Sequence, residues 1–391
     1  MIFLVVLAAL CVCLGTGAVA FRCLGPLRRD AASTGPSVAV IVPCKGADAD
    51  TDAFIATLLA QSYAPHRVIW CIEEGDDAAE AAFRRSGLGA SGELTVAPAA
   101  THCSQKNANL LAGIAALTPQ DRIIVFADAD TRLPRSWLGK IVAQLESGEA
   151  DVVSGYRLQV PVTASLPVAV VTACEWGLAG FARLRPVSNW FNSIPRHVWG
   201  GTVAIRRESW DVIDPLEQLA TSYNDDVMLS YVFHAADLRV LIARDLLLPS
   251  PINGTFRQLI HFGRRQHFAV RFYSPFLYRL GITVLTINSF LWLAAYATAS
   301  AGIPGGAAML LVLFAGSSIK TALRLRHFRR VAGDDWRAEP LVVVLMVLAE
   351  GPLALFHLAV ALSVLRADRI RWGGKLYLVE APFKVTVVVD A

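Results

Sequence analysis

Four apolar runs frame the chain. They are IFLVVLAALCVCLGTGAVAF (residues 2–21), GITVLTINSFLWLAAYATASAGI (281–303), AAMLLVLFAGSSI (307–319) and LVVVLMVLAEGPLALFHLAVALSVL (341–365). About 20 apolar residues in a helix cross a hydrocarbon core about 30 Å thick. The first, second and fourth runs are therefore predicted to span, whereas the third is short and needs its flanks, a tilt or burial against neighbours. Glu350, followed by Gly351 and Pro352, predicts a kink or re-entrant turn in the last run, with its carboxylate facing protein rather than lipid. Ala18-Val19-Ala20 raises the competing reading of a cleaved signal peptide, but no Lys or Arg precedes that run and it is long for a signal core. A further stretch, LPVAVVTACEWGLAGFARL (166–184), is interrupted by charge and reads either as an interfacial segment that guides a lipid head group or as a core helix.

Between these runs the period changes. SVAVIVPCKG, HRVIWCIEE, DRIIVFADAD and DVVSGYRLQV read as strands, and DTDAFIATLLAQSY and QKNANLLAGIAAL read as helices, the first with an Asp cap. Continuous apolar strands alternating with helices predict an α/β domain whose mainly parallel sheet is covered on both faces. Ligands of such sheets bind beyond the carboxyl ends of the strands. Polar residues collect there: Lys45 after the first strand, Glu73, Glu74, Asp76 and Asp77 after the second, Asp128 and Asp130 after the third. Continued strand alternation would point Asp128 and Asp130 the same way, and two like charges side by side call for a cation or donors between them. No glycine-rich G-x-G-x-x-G or Walker loop follows the first strand, which argues against a Rossmann or P-loop nucleotide site. A nucleotide diphosphate held through Mg2+ or Mn2+ at Asp130, with Asp128 near the ribose, fits the pair instead.

Composition agrees with a membrane location: 54% of the 391 residues are hydrophobic, only 17% are charged, and the mean hydropathy is +0.47. The net charge of +4 is modest, and basic clusters adjoin apolar runs, so anionic lipid explains them better than nucleic acid does. Arg22, Arg28 and Arg29 follow the first run, and RLRHFRR (324–330) follows the third, which predicts a cytoplasmic middle region. A complete crossing by the last run would put the basic stretch RADRIRWGGKLY (366–377) on the opposite side, so either the run is re-entrant or the tail breaks the rule. Seven cysteines without zinc-like spacing read as reduced thiols.

Two further stretches carry chemistry. In SYNDDVMLSYVF (222–233), one of Asp225 and Asp226 reads as a helix cap and the other as a general base. In FGRRQHFAVRF (262–272), Arg264, Arg265, His267, Phe268 and Arg271 read either as an interfacial basic and aromatic belt or as a cationic clamp on a leaving diphosphate.

The ordered set resembles the inverting glycosyltransferases of family 2 type, with their D, D-x-D, D and (Q/R)-x-x-R-W signature ahead of a membrane region. Within them it is most similar to the ceramide glucosyltransferase family, with its bacterial members and hopanoid-pathway relatives. PCKGAD, CIEEGDDAA, SQKNANL, FADADT, WGGTVAIRRES, NDDVM, RRQHF and IRWGGKLYL carry the likeness. The resemblance implies a GT-A type nucleotide-sugar-binding domain over residues 36–275, a transmembrane helix over 1–22, and a membrane region of two to three spans with a basic tail over 276–391. It implies a multi-pass protein, its catalytic domain cytoplasmic, in a bacterial inner membrane. Lys45, Glu74, Asp77, Lys106, Asn109, Asp128, Arg264, His267 and Phe268 would bind the donor, Asp130 the divalent cation, and Asp226 would be the catalytic base. The implied partners are a UDP-sugar, UDP-glucose first, and the hydroxyl of a ceramide-like lipid. A hopanoid-type acceptor, a processive polysaccharide synthase and a non-catalytic membrane scaffold are the alternatives. The chain departs from the pattern where His267 stands for Arg and Phe268 for Trp, so Arg265 or Arg271 is expected to supply the missing charge. FARLRPVSNW (181–190) stands where animal members carry His-Pro-Arg.

Overall fold

The computed structural model describes residues 1–24, 30–90, 92–178, 197–333 and 336–388. The first apolar run is α1 (Ile2–Cys23). There follow β1 (Thr34–Pro43), α2 (Ala49–Leu59), β2 (Ala64–Glu73), α3 (Asp77–Arg85), β3 (Gly92–Ala97), α4 (Gln105–Ala115) and β4 (Ile123–Phe126). Next come α5 (Trp137–Glu146), β5 (Val152–Pro161), α6 (Leu166–Leu178), β6 (Val203–Arg206), α7 (Arg207–Ile213), α8 (Leu216–Thr221), α9 (Asp226–Ala235) and β7 (Val240–Ile252). Local chemistry sets the helix starts. Asp48 and Thr51 form a reciprocal capping box on α2, Asp76 caps α3 through the Ala79 amide, and Ser104 caps α4 through the Asn107 amide.

Seven strands form one sheet in the order β3-β2-β1-β4-β6-β5-β7, with β6 antiparallel to both neighbours and every other pairing parallel. Six strands therefore end on one rim, and only β6 begins there. Val38 to Val42 of β1 and Val68 to Ile72 of β2 are fully buried, as apolar strands covered on both faces must be. Each such aliphatic side chain contributes about 1.5–3 kcal/mol of burial free energy. Register aligns the rim: Pro43 pairs with Cys71, Ile41 with Phe126, and Phe126 with Val203. Lys45, Glu73, Asp128 and the turn before β6 consequently sit side by side.

The C-terminal part contains α10 (Phe256–Tyr273), α11 (Pro275–Ser300), α12 (Gly306–Ala332), α13 (Pro340–Leu348) and α14 (Glu350–Leu362), then β8 (Arg369–Trp372), β9 (Lys375–Ala381) and β10 (Lys384–Val388). Helices α1, α11 and α12 are each long and apolar enough to cross a membrane. They pack on one another through Ala8, Leu291, Trp292, Ala295, Met309 and Leu313, while Phe3, Leu14, Phe290 and Leu311 face outward. Gly316 lets α1 and α12 approach closely, since a Cβ there would lie 2.5 Å from Val12.

The short third apolar run gains its length by continuing as helix α12 through RLRHFRR. The last run is not one helix: α13 and α14 meet at Ala349 with a bend of 91°. Glu350 faces protein there, accepting from Ser317 Oγ and, at 2.5 Å, from Lys320 Nζ. The basic stretch after it is an antiparallel sheet, β10-β9-β8, docked on the domain of the seven-stranded sheet through Lys375, Tyr377 and Val387. The bend between α13 and α14 is that of a broken span or of a re-entrant loop. Helix α6 packs between β5 and α13 through Ala169, Ala173 and Trp176. The FARLRPVSNW stretch and Arg28 and Arg29 lie outside the described residues.

Candidate active site

Strand β4 ends at Phe126, so Asp128 and Asp130 occupy the turn that follows it and strand alternation does not orient them. The turn brings their charges together nonetheless. Asp130 is exposed on this turn, yet the surrounding protein and then the Asp128 charge raise its pKa above the usual carboxylate range. Asp128 is held by Lys106, on the first turn of α4, with Nζ 2.7 Å from Asp128 Oδ1. The same ammonium lies 2.7 Å from Asp225 Oδ2. Burial works against the Lys106 charge, but Asp128, Asp225 and Asp226 outweigh it and hold its pKa above the ordinary value. Lys106 is therefore the electrostatic hub that joins the turn after β4 to the start of α9.

Asp225 and Asp226 divide their work. The expected Asp cap is replaced by Asn224, whose Oδ1 accepts from the Val227 amide at 2.8 Å. Asp225 is buried, and burial pushes its carboxyl up to about 6, with Asp226 and Asp128 adding to the rise and Lys106 opposing it. Asp226 is half-buried and open to the cleft. Its Oδ1 accepts from the Val227 amide at 2.7 Å and its Oδ2 from the Gly200 amide at 3.4 Å, so two backbone groups orient it. Gly200 belongs to the turn before β6, and a Cβ there would lie 2.6 Å from Asp225 Oδ2 and 2.7 Å from Lys106 Nζ, so any larger residue must displace that ion pair. Next to this turn His197 is half-buried, with Nε2 2.8 Å from Ser274 Oγ; desolvation pushes its pKa down to about 4 despite Asp226.

Facing the acidic turn are two arginines. Arg157 of β5 stacks on Phe262 at 4.9 Å and on Trp199 at 5.9 Å and lies within electrostatic reach of Glu175, Asp130 and Asp128. Burial opposes its charge and those carboxylates overcome the effect, so its pKa is raised. Arg265 of α10 stacks on Trp372 at 4.9 Å and Phe262 at 5.6 Å; burial lowers its pKa although Tyr223, Asp128 and Asp130 counteract. Arg157 carries no motif, and its one sequence signal is a cation inside the strand run SGYRLQV.

The remaining residues expected from sequence divide into those on the rim and those behind it. Lys45 is exposed and donates to the Gly373 carbonyl, and it lies 4.0 Å from Glu73. Glu74 and Asp77 are exposed at the start of α3, while Asp76 is the acid that ties the rim, accepting from Gly46 N at 2.7 Å. Asn109 is buried behind the rim and spends its amide on the Cys44 and Cys71 carbonyls at 3.3 Å each. His267 turns to α14, with Nε2 3.0 Å from His357 Nε2, and Phe268 is buried against Tyr223. Arg271 binds the Leu365 and Ala367 carbonyls. Of the two arginines proposed to replace the lost charge, Arg265 is the one that faces the cleft.

Among the described residues no three His, Cys, Asp or Glu side chains converge as a metal-binding group. Asp130 nonetheless fits a hard divalent cation whose other ligands are oxygens of a phosphate: its carboxylate makes no ion pair among the described residues, and Asp128 adds negative charge beside it.

A predominantly parallel sheet, one reversed strand, an acidic turn at its rim and a group of apolar helices define a membrane-associated glycosyltransferase of the GT-A fold. The chain belongs to glycosyl transferase family 21, the ceramide glucosyltransferase family, whose model matches residues 1–384. A mannosyltransferase from Pyrobaculum calidifontis, solved with GDP-mannose and Mn2+, shares the fold at a TM-score of 0.50 and 18% identity, covering 85% of this chain and 100% of its own. Staphylococcus aureus TarS residues 1–349 are a looser match, at a TM-score of 0.38 and 11% identity over 90% of this chain and all of that one. No curated protein sequence matches the chain.

Proposed function

We propose that this protein transfers one sugar from a UDP-sugar, UDP-glucose first, to the hydroxyl of a ceramide-like membrane lipid, with inversion. The observation that carries the reading is the Lys106 bridge, which fixes the acidic turn of Asp128 and Asp130 against the loop that presents Asp226. In this scheme Asp226 takes the proton of the acceptor hydroxyl. That oxygen attacks the anomeric carbon in line, a carbon–oxygen bond forms, the bond to the diphosphate breaks, and its electron pair stays on the departing UDP. Arg157 and Arg265 lie where they can receive the developing charge. Asp130, with Asp128 beside it, would hold Mg2+ or Mn2+, and the bound cation would supply positive charge to the leaving diphosphate. The likeness to an enzyme solved with Mn2+ supports a cation without choosing between the two metals.

Several observations support a lipid acceptor. Helix α10, which supplies Phe262 and Arg265 to the cleft, runs into the candidate span α11, and α6 packs alongside α10 and α13. The cleft accordingly opens beside the apolar helices. With α13 and α14 read as a re-entrant pair, the positively charged ends of α1 and α12 and the catalytic domain share one side, which we assign to the cytoplasm of a bacterial inner membrane. On this reading the chain divides into a membrane helix over 1–22, a catalytic domain over 36–275 and a membrane region from 276 onward, with β8 to β10 on the catalytic side.

Membranes containing the full chain, incubated with a panel of UDP-sugars, Mn2+ and a lipid extract containing ceramide, test the reading by mass spectrometry of the lipids. A single hexose added to ceramide is expected. A polymer, a sugar on a different lipid class, or no lipid product with any donor would each overturn the assignment of donor and acceptor.

A further inference from the structure

The C-terminal sheet is linked to the donor rim at several separate points. Trp372 and Lys375 pair across a two-residue turn formed by Gly373 and Gly374, whose φ angles of +57° and +80° are those of a tight hairpin turn that glycine adopts freely. Residues directly opposite in such a hairpin project to the same face. Lys375 Nζ donates to Glu73 Oε1 at 2.5 Å and Gln105 Oε1 at 2.9 Å, and the Tyr377 hydroxyl accepts from the Gln105 amide at 3.3 Å. The turn itself receives Lys45 on the Gly373 carbonyl. Trp372 meets Tyr223 edge to face at 5.6 Å, just ahead of Asp225 and Asp226, and it stacks under the Arg265 guanidinium at 4.9 Å. One hairpin, more than 300 positions along the chain from Lys45, therefore touches the ends of β1 and β2, the approach to α9, and the arginine that faces Asp128 and Asp130.

We propose that this hairpin is a working part of the donor site, and that Trp372 is a positioning residue that holds Arg265 toward the acidic turn where the donor diphosphate binds. The inference rests on the nucleotide-sugar reading above. Arg265 has three rotatable carbons and, among the described residues, no carboxylate in ion-pair contact. Among the described residues the contacts that place its guanidinium are aromatic faces, Phe262 from its own helix and Trp372 from the far end of the chain, with Tyr223, Asp128 and Asp130 within electrostatic reach. A guanidinium fixed in place before the ligand arrives binds a diphosphate without first losing its rotamer freedom.

UDP with Mn2+, titrated into the full-length protein in detergent, provides the test on Trp372→Phe, Trp372→Leu, Arg265→Ala and the double variant Trp372→Leu/Arg265→Ala. Phe keeps a ring face and Leu keeps bulk without one, so the pair separates orientation from packing. Trp372→Leu is expected to weaken UDP about ten-fold and Trp372→Phe by no more than about three-fold. The double variant is expected to bind like Arg265→Ala alone, because Trp372 acts through that arginine. Equal affinities for wild type and Trp372→Leu, or losses that multiply in the double variant, would overturn the proposal. If the wild type binds GDP and not UDP, the uridine assignment fails and the same comparison is read with GDP. If it binds neither, the nucleotide-sugar reading fails and the role of Trp372 falls with it.

Discussion

Replacing Lys106 with Met probes the electrostatic centre of the cleft. Its ammonium lies 2.7 Å from carboxylate oxygens of both Asp128 and Asp225, and the Asp225 side chain is only 3% exposed. Removing one partner of a buried pair costs about 3–5 kcal/mol, since the stranded charge has neither water nor counterion. Asp225 escapes part of that cost by taking up a proton. Its pKa is raised on folding from 3.8 to about 6, with burial the leading cause. Between those values the native state binds a proton that the unfolded chain does not. The stability linked to Asp225 is therefore fullest below the unfolded value and falls as pH rises through about 6. Without Lys106 the folded value climbs further and the falling window extends upward. The variant is expected to lose about 3 kcal/mol at about pH 8, on the order of 6 °C in unfolding midpoint, and distinctly less at about pH 5. Thermal unfolding of the full chain in detergent, followed by tryptophan fluorescence, reads both. Equal losses at the two pH values, or losses below about 1 kcal/mol at each, would refute the buried-pair reasoning.

Other substitutions separate the roles around this centre. Gly200→Ala forces a methyl into the space between Asp225 and Lys106, and is expected to cost about 1–3 kcal/mol in stability and about 10²-fold in turnover, measured by unfolding and by initial rates. Asp130→Asn is expected to raise the Mn2+ concentration for half-maximal UDP binding about ten-fold or more, while unfolding at neutral pH is no easier, because the charge removed is one that Asp128 repels. Asp76→Ala removes the α3 cap and the acceptor for the Gly46 amide; stability should fall by about 1 kcal/mol with the donor KM little changed, and a large KM effect would assign Asp76 to the donor instead.

The rim was legible from sequence because parallel strands put their ends together, and Lys45, Glu73, Asp128 and Asp130 each follow an apolar run. Kink and charge at Glu350 likewise foretold the broken helix. What linear reading could not supply was the face of a helix. On α10, Arg265 and Phe262 lie three positions apart and share the face toward the cleft, whereas Arg264 and His267 lie on another, and His267 meets a partner 90 positions away. Arg157 escaped notice because a cation within a strand carries no motif until its neighbours are known. The C-terminal hairpin escaped for the same reason: IRWGGKLYL shows a two-glycine turn, but nothing near it in sequence says that Lys45 and Glu73 are waiting for it. Lys106 was read as a residue lining the donor pocket; its part in joining Asp128 to Asp225 depends on the reversed strand β6 and the turn before it, which no local pattern announces.

The central claim is that Asp226 is the base and does not hold the donor. Asp226→Asn keeps the shape and the hydrogen bonding of the side chain while removing its capacity to accept the proton. Sugar transfer to lipid and UDP binding, measured on the same preparation of wild type and variant, address the claim directly. The account predicts turnover lower by about 10²–10⁴-fold with UDP affinity unchanged within about two-fold. Transfer at the wild-type rate, or a loss of UDP binding as large as the loss of turnover, would contradict it.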